Sequence, residues 1–241
     1  MKLRSIITSL FVFSVLGLAA QVNHYELSFG EFHEIKVVDG INVDYECNPA
    51  KAGKVEFEAA HDVASAVIFE PGKGKLAIKL ALRDGSYSNL PTIRVYSSYL
   101  TKISNEGDSL VRVKSVAPEA KLQIKLIGNG RMAVHGVNTN QTDASIISGH
   151  GTITVTGKSD KAKLKVTGAG HIVADEFEVN EASCSITGTG SINCFAVKKL
   201  NVSGLGSGKL VYRGTPVIDK SFMSNLKPIP AESAVPAEKV E

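Results

Sequence analysis

The sequence predicts an all-β fold: a β-solenoid, or β-helix-like, stack of Gly-x-Gly strand-turn-strand rungs preceded by an N-terminal β-rich region. Three observations carry this reading. First, LIGNGRMAV, IISGHGTITV, KVTGAGHIVA, SITGTGSINC and GLGSGKLVY share a glycine pair. Its second members, Gly130, Gly151, Gly170, Gly190 and Gly208, stand 21, 19, 20 and 18 residues apart, and a near-constant period of about 20 residues marks a stacked array. Second, apolar residues recur in columns around that anchor: Met132, Ile153, Ile172, Ile192 and Leu210 two places after it, and Val134, Val155, Ala174, Cys194 and Tyr212 four after it. Alternation at period two gives strands with one buried face. Third, the glycine pairs and β-branched runs interrupt every possible helical stripe.

Taken from the N-terminus, residues 1–20 have the anatomy of a secretory signal. Lys2 and Arg4 precede a mostly apolar run from Ile6 to Leu18, and Gly17, Ala19 and Ala20 offer small residues for cleavage. The run is shorter than the roughly 20 residues a membrane-spanning helix needs. No cysteine follows the small residues, so a lipoprotein-type acyl anchor is not expected. Removing Lys2 and Arg4 leaves 25 basic against 24 acidic residues, a balance without the footprint of a nucleic-acid or anionic-membrane binder. No later stretch is apolar enough for a transmembrane segment in the mature chain.

Residues 30–103 lack the glycine column but still read as β. EIKVV, INVDYE, KVEFEA, KLAIKLAL and TIRVYS are the expected strands, separated by turn residues at Asp39-Gly40, Pro49, Gly53, Pro71-Gly72 and Asp84-Gly85. HDVASAVIF holds room for one helical turn. Residues 104–214 are the expected rungs, with SNEGDSLVRV as a degenerate first copy. In each copy a polar connection such as NTNQTD or GKSDK returns the chain. Inward residues four places before the anchor are Leu126, Ile147, Val166 and Ile186, and the last copy departs from the rule with Gly204. The prolines of KPIPAESAVPAEKVE predict a disordered tail over 227–241.

The order of these features resembles the "putative auto-transporter adhesin, head GIN domain" family. The matching residues are FHEIKVVDGINVDYE, then LPTIRVYSSYLTKISNEG, then the Gly-x-Gly copies, and finally KLVYRGTP. The resemblance covers about residues 29–217. It implies an exported, all-β, solenoid-type bacterial protein of the cell envelope, periplasmic, surface-bound or secreted. It implies no catalytic residues and no cofactor.

Several motifs invite other chemistry. GLGSGKL resembles a phosphate loop, but that motif needs a hydroxyl after the lysine and a following helix; here Leu210 and a strand-like LVYRG follow. Calcium-binding repeats need an Asp after the glycines, where this chain has Arg, Thr, His, Ser and Lys. His150 and His171 occupy different columns with no cysteine or carboxylate joining them, so no metal site is expected. A carbohydrate-active β-helix enzyme is the alternative reading, needing two converging carboxylates. Asp143, Asp160, Asp175, Glu176, Glu178 and Glu181 instead fall mostly in connections, without a repeated column. Cys184 and Cys194 read as inward-facing, which favours small buried hydrophobes over a disulfide, and the spacing leaves the pairing open.

The candidate binding residues are the outward column one place after the anchor: Arg131, Thr152, His171, Ser191 and Lys209. Polar, mixed and cationic at both ends, it suits a hydroxyl-rich or acidic polymer of the envelope or of a host, or a protein partner. The expected function is therefore that of a non-catalytic, adhesin-like binding or structural module.

Overall fold

The computed structural model describes residues 22–81 and 89–233. The expected signal segment and the Asp84-Gly85 turn lie outside them. The described chain is all-β, with 68% strand and 4% helix in a solenoid of about 6 turns. No described helix is long and apolar enough to cross a membrane.

The first half contributes β1 (Asn23–Ser28), β2 (Glu34–Val38), β3 (Asn42–Cys47) and β4 (Lys54–Ala59), then the single-turn helix α1 (His61–Ala64). These are followed by β5 (Val67–Gly72), β6 (Lys75–Leu80) and β7 (Thr92–Ser97). The expected degenerate rung is present as β8 (Lys102–Glu106) and β9 (Leu110–Ser115). Next come β10 (Glu119–Leu126), β11 (Arg131–Ile146), β12 (Thr152–Gly168), β13 (His171–Gly188) and β14 (Ser191–Gly206). The last strands are β15 (Lys209–Arg213), β16 (Val217–Lys220) and β17 (Pro228–Pro230).

Successive rungs pair in parallel and in register: Met132 meets Ile153, Ile153 meets Ile172, Ile172 meets Ile192, and Ile192 meets Leu210. All five are buried and belong to one continuous core. Each large aliphatic side chain buried in this way contributes about 1.5–3 kcal/mol. No single rung could hold that core, because each supplies only one layer of it.

The β-rich first half joins the same stack, out of chain order. β2 pairs in parallel with β6 on one side and β8 on the other, and β3 does the same with β7 and β9. The rung built first in the sequence is therefore sandwiched between two later ones. Antiparallel strands close that end: β4 on β7, β1 on β4, and β5 on β6. Tyr25 stacks on Phe57 at 5.1 Å between ring centroids, and Phe69 leans on Phe57 and Phe29. Such a cap covers strand edges that would otherwise recruit other chains.

The polar connections are not loops. NTNQTD and GKSDK lie inside β11 and β12, and Asn138, Thr139 and Gln141 pair with Lys158, Ser159 and Lys161. The alternation of buried and exposed residues in β12 breaks near Gly157 and again at Asp160–Lys161, so with the glycine bend each complete turn has three corners. The hydroxyls of Thr139, Thr142 and Ser159 fill the inside of one corner and satisfy one another at 2.7 and 3.0 Å.

The glycine pair divides its labour. The first member takes positive φ, as at Gly168 (106°) and Gly188 (121°), a conformation in which a side chain is strained. The second is required by contact: a Cβ on Gly151 would stand 2.6 Å from the Gly130 carbonyl oxygen.

One inward assignment is corrected. Ile146, not Ile147, continues the column Leu126–Ile146–Val166–Ile186. This bend holds one residue more than its neighbours, and the extra residue turns Ile147 outward to 41% exposure. Gly204 departs from the apolar column as expected, and for a steric reason: it sits in register with Ile186 at φ 138°, and a Cβ there would collide with the Ile186 carbonyl. At the C-terminal end, the tail expected from Lys227 begins instead with β17, which pairs with β15; residues 234–241 lie outside the described chain.

Candidate functional site

Arg131, Thr152, His171, Ser191 and Lys209 stand in a single ladder, one per rung, each paired in register with the next. Their position follows from the bend. The N–H of Thr152 donates to the carbonyl of Gly130, His171 to Gly151, Ser191 to Gly170 and Lys209 to Gly190, at 2.9–3.1 Å. The same glycines that let the rungs approach thus anchor the first residue of the following strand, and period two then turns that residue outward. Arg131, His171 and Lys209 are exposed, and Thr152 and Ser191 are half-buried. The ladder crosses four rung steps, about 19 Å at the usual strand spacing. His171 Nδ1 lies 2.9 Å from Ser191 Oγ. The parallel outward row two places on, Ala133, Thr154, Val173, Asn193 and Val211, carries no charge.

GLGSGKL is the fifth rung. Lys209 opens β15 against Ser191 of β14, and a strand rather than a helix follows the glycines. His150 and His171 take separate roles: the backbone N–H of His150 donates to Asn129 Oδ1, while His171 stands in the ladder. Among the described residues no three His, Cys, Asp or Glu side chains cluster as metal ligands.

Three of the six acids weighed for glycoside chemistry are engaged locally. Glu181 pairs with Lys161 at 3.6 Å and Asp160 accepts from Asn180. Asp143 accepts from Gln141 and pairs with Lys121 at 2.8 Å. Burial pushes the Asp143 carboxyl up, but the hydrogen bonds from Gln141 and Lys121 and the fields of Lys121 and Lys163 outweigh it. The group is held below the usual carboxylate range, opposite to what a general acid needs.

Cys184 and Cys194 face each other across the interior of one rung with their sulfurs 3.8 Å apart, and both are free. The hydrogen bond with Cys194, followed by burial, pushes the Cys184 thiol well above its ordinary range, so the pair packs as small hydrophobes.

Another side of the rung carries a surface that the sequence reading did not single out. On β12, Lys161, Lys163 and Lys165 alternate with buried Ala162, Leu164 and Val166, a pattern visible in KAKLKV itself. Lys163 is in register with Ser183, Asn201 and Asp219, and Lys165 with Ser185 and Ser203. Together they line a groove of about 390 Å³.

The family described as "putative auto-transporter adhesin, head GIN domain" matches residues 31–216. Solved structures with the same fold include a putative adhesin from Bacteroides fragilis, 19% identical with a TM-score of 0.79, covering 88% of this chain and 96% of that one. A putative lipid binding protein from Parabacteroides distasonis is 21% identical with a TM-score of 0.70, covering 88% and 97%. A putative adhesin from Parabacteroides merdae is 18% identical with a TM-score of 0.69, also covering 88% and 97%. No curated protein matches the chain.

Proposed function

The chain belongs to the "putative auto-transporter adhesin, head GIN domain" family, and from that membership we propose that it is an exported, non-catalytic binding module of the cell envelope whose outward ladder engages a polymer or protein surface. The observation that carries this reading is the ladder's register. Arg131, Thr152, His171, Ser191 and Lys209 occupy equivalent positions on five consecutive rungs, a fixed strand spacing apart. Contacts that are weak one by one add along such a row, because the rigid stack has already set their relative positions.

Export is supported by the charged and apolar order of residues 1–20. A non-catalytic role is supported by the family and by the local pairing of Asp143, Asp160 and Glu181. One structural relative is described as lipid binding. In this chain the inward columns fill the rungs with side chains, so the outer surface is the natural place for a ligand.

The test replaces Arg131, His171 and Lys209 together with Ser. Attachment to native envelope or to a glycan array should weaken while the melting temperature stays unchanged. Full attachment by the folded triple variant would remove this ladder from the account.

A further inference from the structure

The face bearing Lys163 and Lys165 is rich in lysine, yet its cations fall into two sets. Toward the margins five lysines have a carboxylate: Lys36 with Glu106, Lys102 with Glu34, Lys121 with Asp143, Lys161 with Glu181 and Lys199 with Asp219, while Lys75 at the far end has none among the described residues. Between them stand Lys125, Lys163 and Lys165, which among the described residues form no ion pair. Asp143 is the row neighbour of Lys163, but its oxygens are bound to Lys121 and Gln141. Lys125 and Lys165 share one row without a carboxylate between them, and Lys163 meets only an Asp143 already bound to Lys121, so this part of the face presents a local positive field.

The spacing of the bare lysines is set by the fold. Lys125 pairs with Ser145, and Ser145 with Lys165, so these two ammonium groups project two rungs apart, about 9.6 Å at the strand spacing. Lys163 and Lys165 are two residues apart on one strand, about 6.6 Å. Beyond Lys165 its row continues with Ser185 and Ser203, and beyond Lys163 with Ser183 and Asn201, where the Asn201 amide donates to Ser183 Oγ at 3.2 Å. Lys163 and Lys165 therefore run into a floor of hydroxyl and amide groups within the same groove, whose far end carries Asp219, neutralised by Lys199 at 3.2 Å. No aromatic or apolar side chain projects into it: Leu164 and Val202 contribute backbone only, their side chains being buried. Bases need aromatic platforms to stack on and acyl chains need apolar surface. Sugar hydroxyls and fixed anions find partners here.

We infer that this groove binds an extended acidic polysaccharide, with Lys163 and Lys165 holding successive carboxylate or sulfate groups, the serine and Asn201 rows taking the sugar hydroxyls, and Lys125, outside the groove but two rungs along the row of Lys165, extending the cationic track. The inference rests on the reading of the chain as a binding module but not on the Arg131–Lys209 ladder, which lies on the other side of the glycine bend.

Retention of the protein on immobilised polygalacturonate and on immobilised dextran sulfate tests it, with neutral dextran as the reference. Wild type should be retained on at least one polyanion, less as salt rises, and not on dextran. Lys125→Gln, Lys163→Gln and Lys165→Gln together should weaken binding about tenfold, since exposed charge contacts are each worth at most a few-fold. Lys158→Gln, Lys198→Gln and Lys227→Gln remove the same charge elsewhere and should change it less than twofold. If the groove variant melts lower, Lys165→Gln alone is read instead, with about a threefold loss expected. Equal loss in both triple variants, retention on neutral dextran, tighter binding of single-stranded DNA than of either polyanion, or no polyanion binding by wild type would overturn the inference. Loss of envelope attachment only in the ladder variant, with the groove variant intact on polyanions, would sustain the binding-module reading and reject this groove.

Discussion

The carbonyl oxygen of Gly151 lies 2.9 Å from the point a Cβ on Gly170 would occupy, and Ile146 presses on the same point from the rung interior. Gly170 has no positive φ to explain it; contact between rungs does. Gly170→Val should therefore force the stack apart and cost about 1–3 kcal/mol, the range for overpacking a dense interior. Thr167→Val, at a half-buried position three residues earlier in β12, should cost no more than about 0.5 kcal/mol. Urea midpoints of the two variants provide the comparison, and equal shifts would refute the contact argument.

Gly204 offers the reverse experiment. Its column is otherwise apolar, so Gly204→Ile looks like a repair of the repeat. The Ile186 carbonyl occupies the space and the backbone is at φ 138°, so the substitution should lower the melting temperature rather than raise it.

These two positions also show what the amino-acid order discloses. The glycine period and the inward columns were legible because each rung repeats one solution to the same packing problem. Ile147 misled because a single added residue in one bend shifts its side chain to the other face without disturbing the composition around it. The stacking of the first half was not legible at all: β2 and β3 pair with strands on both sides that come later in the chain, and no local pattern encodes such an exchange. The ladder from Arg131 to Lys209 could be read from its fixed offset to the glycines. The lysine groove could have been, since KAKLKV alternates openly. Its distinctive property lies in which lysines lack a carboxylate neighbour, and that requires the register of the rungs on either side.

Ile172 is wholly buried between Ile153 and Ile192. Ile172→Asp would place an unpaired carboxylate in the core and should cost several kcal/mol. Thr152→Asp, on the outward ladder, should leave the melting temperature within about 3 °C. Calorimetry of both variants checks the inward and outward assignment together.

Glu56 supplies a pH signature. Its carboxylate takes a hydrogen bond from Lys51 at 2.8 Å and another from the Tyr96 hydroxyl at 3.0 Å. The Lys51 bond, opposed by burial and reinforced by Tyr96, holds the group below the usual carboxylate range. A depressed pKa stabilises the fold above the unfolded value, about 4.3 for Glu, and that contribution is lost as pH falls through the lower folded value. Glu56→Gln should thus be less stable than wild type at pH 7, with the difference narrowing below about pH 4.3. Urea unfolding at several pH values measures it; a gap that widens in acid would reverse the sign.

The out-of-order first rung has a kinetic consequence. Val43 pairs with Val111, 68 residues further on, while Ile153 meets Ile172 after 19. Closing the longer loop costs about 1 kcal/mol more in chain entropy. The junction of β3 with β9 is thus the costlier closure, whereas neighbouring glycine rungs close over short local loops. Val111→Ala should therefore slow refolding more than Ile172→Ala does, a comparison that stopped-flow refolding of the two variants makes.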